Sequence, residues 1–512
     1  MAKATPTKAK KAKAAPPAPE ATPPNARAKH GEAFAPRVTV RMYCHGLGDC
    51  FLLRFEPAKG EFFNVLIDCG IYKASPEPGR IMNEVVDDVI ETTATDADPA
   101  GHLHLLVVTH EHWDHISGFA QALDKFAALR IDEVWQAWTE DEKDPIAAEL
   151  LRKYKKVKAR LTAALRQADA DHAMGAAPKA LGEAFEVMGF FGVSSADGDA
   201  GDKANDDAYA KIKAMIAAKP KRAYREPGEV IPLGDTGVTA FVLGPPKDVV
   251  ALGKDDPGAK DGYHKQATGF FDGMAAMLGA IDGAEAGDPD SRPFAERWGI
   301  LVETAAATDY FRHAYAFGDP DHPEVFRSID DLAVESLGHL ALRLDSHINN
   351  TSLVLAFRLP SGRVLLFPGD AQAGNWKSWA GLDAPLTFPQ EKTDAHRLLK
   401  DTVFYKVAHH GSHNATPRTY GLELMTHRDL RAMVPVDHEV AFAAGYGEMP
   451  LVEIMAGLTT RTGGAVVRSD TAADAPADTF VRSKKTLTLT TSKGGPSITR
   501  PLYCETTFDL DG

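Results

Sequence analysis

The run His110-Glu111-His112-Trp113-Asp114-His115 constrains this chain more than any other feature. Three imidazoles and a carboxylate fall within six residues. They directly follow His102-Leu-His-Leu-Leu-Val-Val-Thr109, a nearly continuous apolar stretch that reads as a strand covered on both faces. A predicted helix comes next, from about His115 to Leu129. A tight loop between strand and helix can point its side chains two ways. His110 and His112 can then grip one cation while Asp114 and His115 grip a second. Imidazole suits zinc, and a carboxylate completes sites for zinc, manganese or iron. A polar loop with satisfied histidines accounts for one histidine much better than for this whole set.

Other predicted strand exits supply further ligands. Phe367-Pro-Gly-Asp370 sets Asp370 just past a strand, where a carboxylate can bridge two cations. Val407-Ala-His409-His410-Gly-Ser-His413 ends another strand, and Asp345-Ser-His347-Ile-Asn-Asn350-Thr-Ser352 places His347 ahead of a third. Taken singly, Asp370 reads equally as a turn cap and His347 as a surface residue. The repeated position at strand exits gives weight to Asp370 and to the segment His409-His410-Gly-Ser-His413.

Residues 1–36 are dominated by Ala, Pro and Lys and cannot bury enough surface to offset ordering entropy. We expect a disordered basic tail, able at most to make weak contact with nucleic acid. Alternating residues predict strands at Arg37–Tyr43, Cys50–Phe55 and Phe62–Ile67, and later at Gly237–Gly244, Ser352–Leu359, Arg363–Phe367, Asp401–Ala408 and Leu430–Val436. Two stretches interrupt this main domain of residues 37–475. Residues 139–228 read as a mainly helical insertion, and residues 247–345 as a Gly- and Asp-rich one with little periodicity. Residues 476–512 read as a C-terminal β-hairpin extension. Short strands mixed with helices, with ligands in the loops at strand ends, indicate a layered α/β fold.

With 44% hydrophobic and 25% charged residues among 512, the composition is that of a globular protein. The formal net charge of −14 argues against tight nonspecific nucleic-acid binding by the whole chain, although local cations can reverse the field at one site. No apolar run approaches the ~18–20 residues of a membrane span, and no apolar stretch follows the early lysines as in a secretory signal. Cys44, Cys50, Cys69 and Cys504 show no paired spacing, which reads as free thiols in a reducing, cytoplasmic setting.

The order of these segments resembles the five motifs of the metallo-β-lactamase superfamily. Asp68 in Leu66-Ile-Asp-Cys-Gly70 matches the first motif, and the run from His110 to His115 is an intact second motif. His347 is the candidate third-motif histidine, Asp370 matches the bridging aspartate, and His409 the last-motif histidine. Within the superfamily the chain is most similar to the hydrolase domain of ComEC-type competence proteins. Gly48-Asp-Cys50, Asn350-Thr-Ser-Leu-Val354, Pro368-Gly-Asp370 and His409-His-Gly-Ser412 carry that similarity, together with Gly445-Tyr-Gly-Glu-Met-Pro450 and Arg468-Ser-Asp470. Unlike that group, this chain keeps a histidine at position 112 and carries no membrane channel.

The resemblance implies an αββα sandwich and a two-metal hydrolase, with zinc the expected metal and manganese the alternative. It places His110, His112, Asp114, His115, His347, Asp370 and His409 as ligands. Asp114 would also orient the nucleophile, His410 or His413 would protonate the leaving group, and Asp68 would hold the surrounding loops. A bridging aspartate favours phosphodiesters, small or nucleic-acid. The alternatives are a lactonase or thioesterase on the same site, or a binding module stabilised by its metals. No serine-nucleophile elbow or phosphate-binding lysine loop is present.

Overall fold

Apolar side chains on both faces of most strands dictate the architecture. The computed structural model describes residues 35–58, 62–172, 179–195, 198–253, 300, 304, 307–315, 329–443, 446–490 and 497–511. Among them, two mixed sheets form. The first runs in the spatial order Val481–Arg482, Tyr503–Asp509, Arg37–Tyr43, Cys50–Glu56, Phe63–Cys69, His102–Val108, Arg130–Ala137, Lys221–Arg225. The second runs Val466–Arg468, Arg431–Val434, Thr402–Lys406, Val364–Phe367, Val354–Arg358, Thr239–Gly244, Val230–Pro232.

One apolar layer joins the sheets. Val40, Phe51, Phe55 and Val107 of the first meet Val242, Phe357, Phe367 and Phe404 of the second. Phe51 stands edge-on to Phe367 with ring centroids 5.7 Å apart. The outer faces are covered by helices, as strands apolar on both sides require. Val85, Val89, Ile116 and Phe119 cover Leu66 and Leu106 on one side. Trp376, Leu398, Ile454 and Leu458 cover Leu366 and Tyr405 on the other. The order of layers is therefore helix, sheet, sheet, helix.

Each sheet is antiparallel on one side and parallel on the other. The parallel pairs include Phe63–Cys69 with His102–Val108, and Val364–Phe367 with Thr402–Lys406. In open α/β sheets ligands gather at the carboxyl ends of such strands. Here those ends carry Asp68, the run from His110, Asp370 and His409-His410.

A further apolar cluster sits outside the sandwich. Helices Pro145–His172, Lys179–Met188 and Ile329–Asn349 share it through Leu150, Leu161, Phe185, Leu337, Leu340 and Leu344. Sequence reading found little periodicity in 247–345, yet Leu337, Leu340, Ala341 and Leu344 have helical spacing and are buried. That helix also runs past the expected boundary to Asn349, so Asp345 and His347 are helical and do not lie on a strand-exit loop.

The C-terminal segment does more than form the expected hairpin. Thr486–Leu489 pairs with Ile498–Pro501, but Tyr503–Asp509 pairs along the whole of Arg37–Tyr43 inside the first sheet. The Leu510 N–H donates to the carbonyl of Pro36 at 2.8 Å. The expected tail lies outside the described residues except for its last two, as does most of 247–328. All four cysteines are free and buried, and no described helix is long and apolar enough to cross a membrane.

Candidate metal centre

The strand His102–Val108 ends one residue before Thr109-His110, and His112 caps the helix Trp113–Gln121. Within this turn His110 and His112 lie on the loop, while Asp114 and His115 open the helix. Two glycines let neighbouring loops close on it. A Cβ at Gly70 would collide with the backbone of Asp114 and His115, and one at Gly48 with the carbonyls of Gly70 and Asp114. The Asp49 N–H, one residue on, donates to the Asp114 carbonyl at 3.0 Å.

Asp68 locks this turn. Its Oδ1 accepts the Thr109 N–H at 2.8 Å, and its Oδ2 accepts the Thr109 hydroxyl at 2.6 Å and lies 2.8 Å from His115 Nδ1. Asp68 adopts a left-handed backbone, φ 55°, as do His409 at 42° and His410 at 53°. Such conformations cost ~1–3 kcal/mol each and persist only where the surroundings hold them.

At the centre, donor atoms of Asp49, His115, Asp370 and His410 all lie within 4.8 Å of one another. Asp370 Oδ2 is 3.0 Å from His115 Nε2 and 3.3 Å from His410 Nε2. His410 Nε2 is also 3.0 Å from Asp114 Oδ2. On the opposite side, the Lys406 ammonium donates to Asp370 Oδ1 and the Gly369 carbonyl, each at 2.8 Å, and reaches Asp49 Oδ2 at 2.5 Å. His110 Nε2 and His112 Nδ1 face each other at 3.1 Å. No member of the set His110, His112, Asp114, His115, Asp370 and His410 is more than 1% exposed.

Electrostatics divide the imidazoles into two kinds. Burial opposes charge on His115, yet Asp370 and Asp114 hold its pKa well above the ordinary value. Burial likewise opposes charge on His410, but Asp370 and the Asp114 hydrogen bond raise it to about 10. Burial lowers His110 well below the usual imidazole range, His112 to about 4 and His409 to about 3, so these rings are neutral with lone pairs to offer. Burial would raise Asp370, but Lys406, His115 and His410 hold it well below the carboxylate range. Burial, then Asp114 and Asp370, push Asp345 well above that range; a cation nearby would reverse the push.

The residues present fit divalent cations. Asp49, Asp68, Asp114 and Asp370 meet one ammonium, and without a cation only the protons held on His115 and His410 offset the rest of their buried charge. Asp49 Oδ1 and Asp114 Oδ1 are buried without any hydrogen bond, a state that costs about 1–3 kcal/mol per group, and more when charged. Two ring nitrogens 3.1 Å apart require a proton or a cation between them. A donor set of imidazole and carboxylate suits zinc or manganese.

The structure brings together His110, His112, Asp114, His115, Asp370 and His410, with Asp68 holding His115 from behind. It separates His409 from His410. Successive left-handed residues turn the two rings apart, centroids 5.9 Å, so that His410 enters the cluster. The His409 N–H donates to Asp370 Oδ1 at 3.2 Å, while its ring lies 3.1 Å from Gln372 Nε2 and 3.2 Å from Asn349 Nδ2. The proposed acid His413 is exposed on the following loop. His347 is not brought to the cluster. Residues two apart on a helix point to nearly opposite sides, so its ring packs against Gly253 and near Tyr154, centroids 6.4 Å apart.

Sequence reasoning missed three residues here. Asp49 stood inside the quoted Gly48-Asp49-Cys50 without a role. Lys406 had a signal: a lysine in the buried run Val403–Ala408 needs a carboxylate. Asp345 precedes His347 by two positions and faces the cluster, with Oδ1 3.8 Å from His112 Nε2.

Aromatic side chains roof the site. Phe191 stands edge-on to His112 at 5.0 Å, and Phe190 packs against Tyr72 and Tyr446 at 4.8 and 5.0 Å. The Tyr446 hydroxyl is buried without a hydrogen bond.

The described residues thus define an α/β protein of two mixed sheets with a buried histidine–aspartate cluster suited to metal. No family model matches the sequence, and a search of curated proteins finds no match to it.

Proposed function

We propose that this chain is a metal-dependent hydrolase of metallo-β-lactamase type, acting on phosphodiesters through two divalent cations. The observation that carries the reading is the buried group around Asp370 Oδ2, which His115 and His410 face while Asp49 and Asp114 keep unengaged carboxylate oxygens beside it. The layer order and the position of the run from His110, Asp370 and His410 at the carboxyl ends of strands support it. Bound cations would supply the Lewis acidity that brings the pKa of a water toward neutrality.

The chain's own residues do the rest. Asp114, whose Oδ2 meets His410 and whose Oδ1 has no hydrogen bond, would accept a proton and orient an attacking water. Lys406 and the His409 N–H fix Asp370 Oδ1, so Oδ2 alone turns inward. Tyr446 offers a buried O–H donor on the side of Asp345 and Asp114. Phosphodiester chemistry is favoured by the carboxylate excess, which suits two cations acting on two phosphoryl oxygens.

A panel with zinc- and manganese-loaded protein tests this: an aryl phosphodiester, single-stranded oligonucleotides, a lactone and a thioester. We expect chelator-sensitive phosphodiester turnover. Lactone or thioester turnover without phosphodiesterase under either metal contradicts the substrate class.

A further inference from the structure

The imidazoles of the centre share a pattern. Each ties one nitrogen outward and turns the other in. His110 Nδ1 lies 3.1 Å from the Thr109 hydroxyl, His115 Nδ1 2.8 Å from Asp68, and His410 Nδ1 2.6 Å from the Pro435 carbonyl. Their Nε2 atoms face the centre. His112 is reversed: Nδ1 faces His110 at 3.1 Å, and Nε2 points outward at Asp345 Oδ1, 3.8 Å away. Both atoms of that last pair are buried with no hydrogen bond, on side chains 1% and 4% exposed. Asp345 Oδ2 is already tied to Asn349 Nδ2 at 3.1 Å, one helical turn on.

We propose that Asp345 is a positioning residue for His112, and that cation binding at the His110–His112 pair clamps the helix Ile329–Asn349 over the site. The inference rests on the metal reading above. Ligation through Nδ1 leaves the ring proton on Nε2 and makes it a stronger donor. The 3.8 Å gap then closes to a hydrogen bond onto Asp345. Carboxylates behind a ligating histidine fix its tautomer and raise its affinity. Asp68 serves His115 in this way from within the sandwich, whereas Asp345 comes from the helical layer outside it. Metal occupancy and the position of that layer are therefore linked.

Metal affinity and hydrogen exchange, measured on the full chain, test the proposal. Asp345→Asn should weaken one of two bound zinc ions about 10–100-fold and leave the other unchanged, and Asp345→Glu should recover part of the loss. His347→Gln, on the opposite face of the same helix, should leave both affinities unchanged. In the wild type, zinc should slow amide exchange across 329–349, and Asp345→Asn should abolish that protection. If Asp345→Asn does not fold, the wild-type exchange comparison still decides. Two zinc ions bound as tightly by Asp345→Asn, zinc loss in His347→Gln, or no metal-dependent protection of the helix overturns the inference alone. A wild type that binds no metal overturns the functional reading beneath it.

Discussion

The strand His102–Val108 carries histidines at both ends, and the two ends differ. At its start, His102, His104 and Asp132 lie close enough to share a cation. His102 Nε2 already meets Asp132 Oδ2 at 2.7 Å, and Asp132 Oδ1 accepts from Arg130 Nε at 3.0 Å. His104 Nδ1 accepts the Asn64 N–H at 3.1 Å, and its ring stacks on Phe63. The Asp132 and Arg130 side chains are 40% and 54% exposed. At the other end, carboxylates are buried in excess and several of their oxygens have no hydrogen bond. Proximity of histidine and aspartate is common to both ends. Unmet demand for positive charge, away from water, belongs to one.

Substitutions should separate the ends most sharply in activity. Asp114→Ala should lower phosphodiester turnover by about 10³-fold or more, because it removes a ligand and the orienting carboxylate together. Asp132→Ala should leave turnover within about twofold. Equal losses would erase the distinction between the two groups.

Stability gives the next largest contrast. Lys406→Met takes the buried ammonium away from Asp49 Oδ2 and Asp370 Oδ1, and removing one partner of a buried ion pair costs about 3–5 kcal/mol. Removing the exposed Arg130 partner of Asp132 should cost under about 1 kcal/mol. Chemical denaturation of metal-free protein measures both, and added zinc should offset part of the first loss and none of the second.

A smaller effect is written in pH. In metal-free protein His410 holds its proton to about pH 10, against burial, because of Asp370 and Asp114; an unfolded imidazole releases its proton near ~6.5. The folded state's advantage is complete below about pH 6.5 and drains as pH rises toward 10, on the order of 1 kcal/mol per pH unit. His115, raised in the same direction, adds to the slope. A cation on these rings excludes the proton, so zinc-loaded protein should melt with a flatter pH dependence across this range. Identical slopes with and without zinc would show that no cation displaces those protons.

Particular residues show what sequence could and could not reveal. The run from His110 and the aspartate at 370 were legible because each follows a strand whose apolar pattern is continuous, so the exit point is countable. Asp49 was not assigned, since nothing in the spacing ties it to a run sixty-odd residues later; only pairing of Cys50–Glu56 with Phe63–Cys69, parallel to His102–Val108, brings it there. The choice between His409 and His410 rests on left-handed backbone at both positions, which residue periodicity does not encode. Asp345 was overlooked because its helix lies in a Gly- and Asp-rich stretch whose composition masked Leu337, Leu340 and Leu344.

Metal content of the wild-type chain tests the central claim most directly. After reconstitution with zinc and dialysis against metal-free buffer, elemental analysis should find about two divalent ions per chain. Asp132→Ala should retain both, and His410→Ala should lose at least one. Fewer than one ion per wild-type chain, or loss through Asp132 and not His410, would contradict the account.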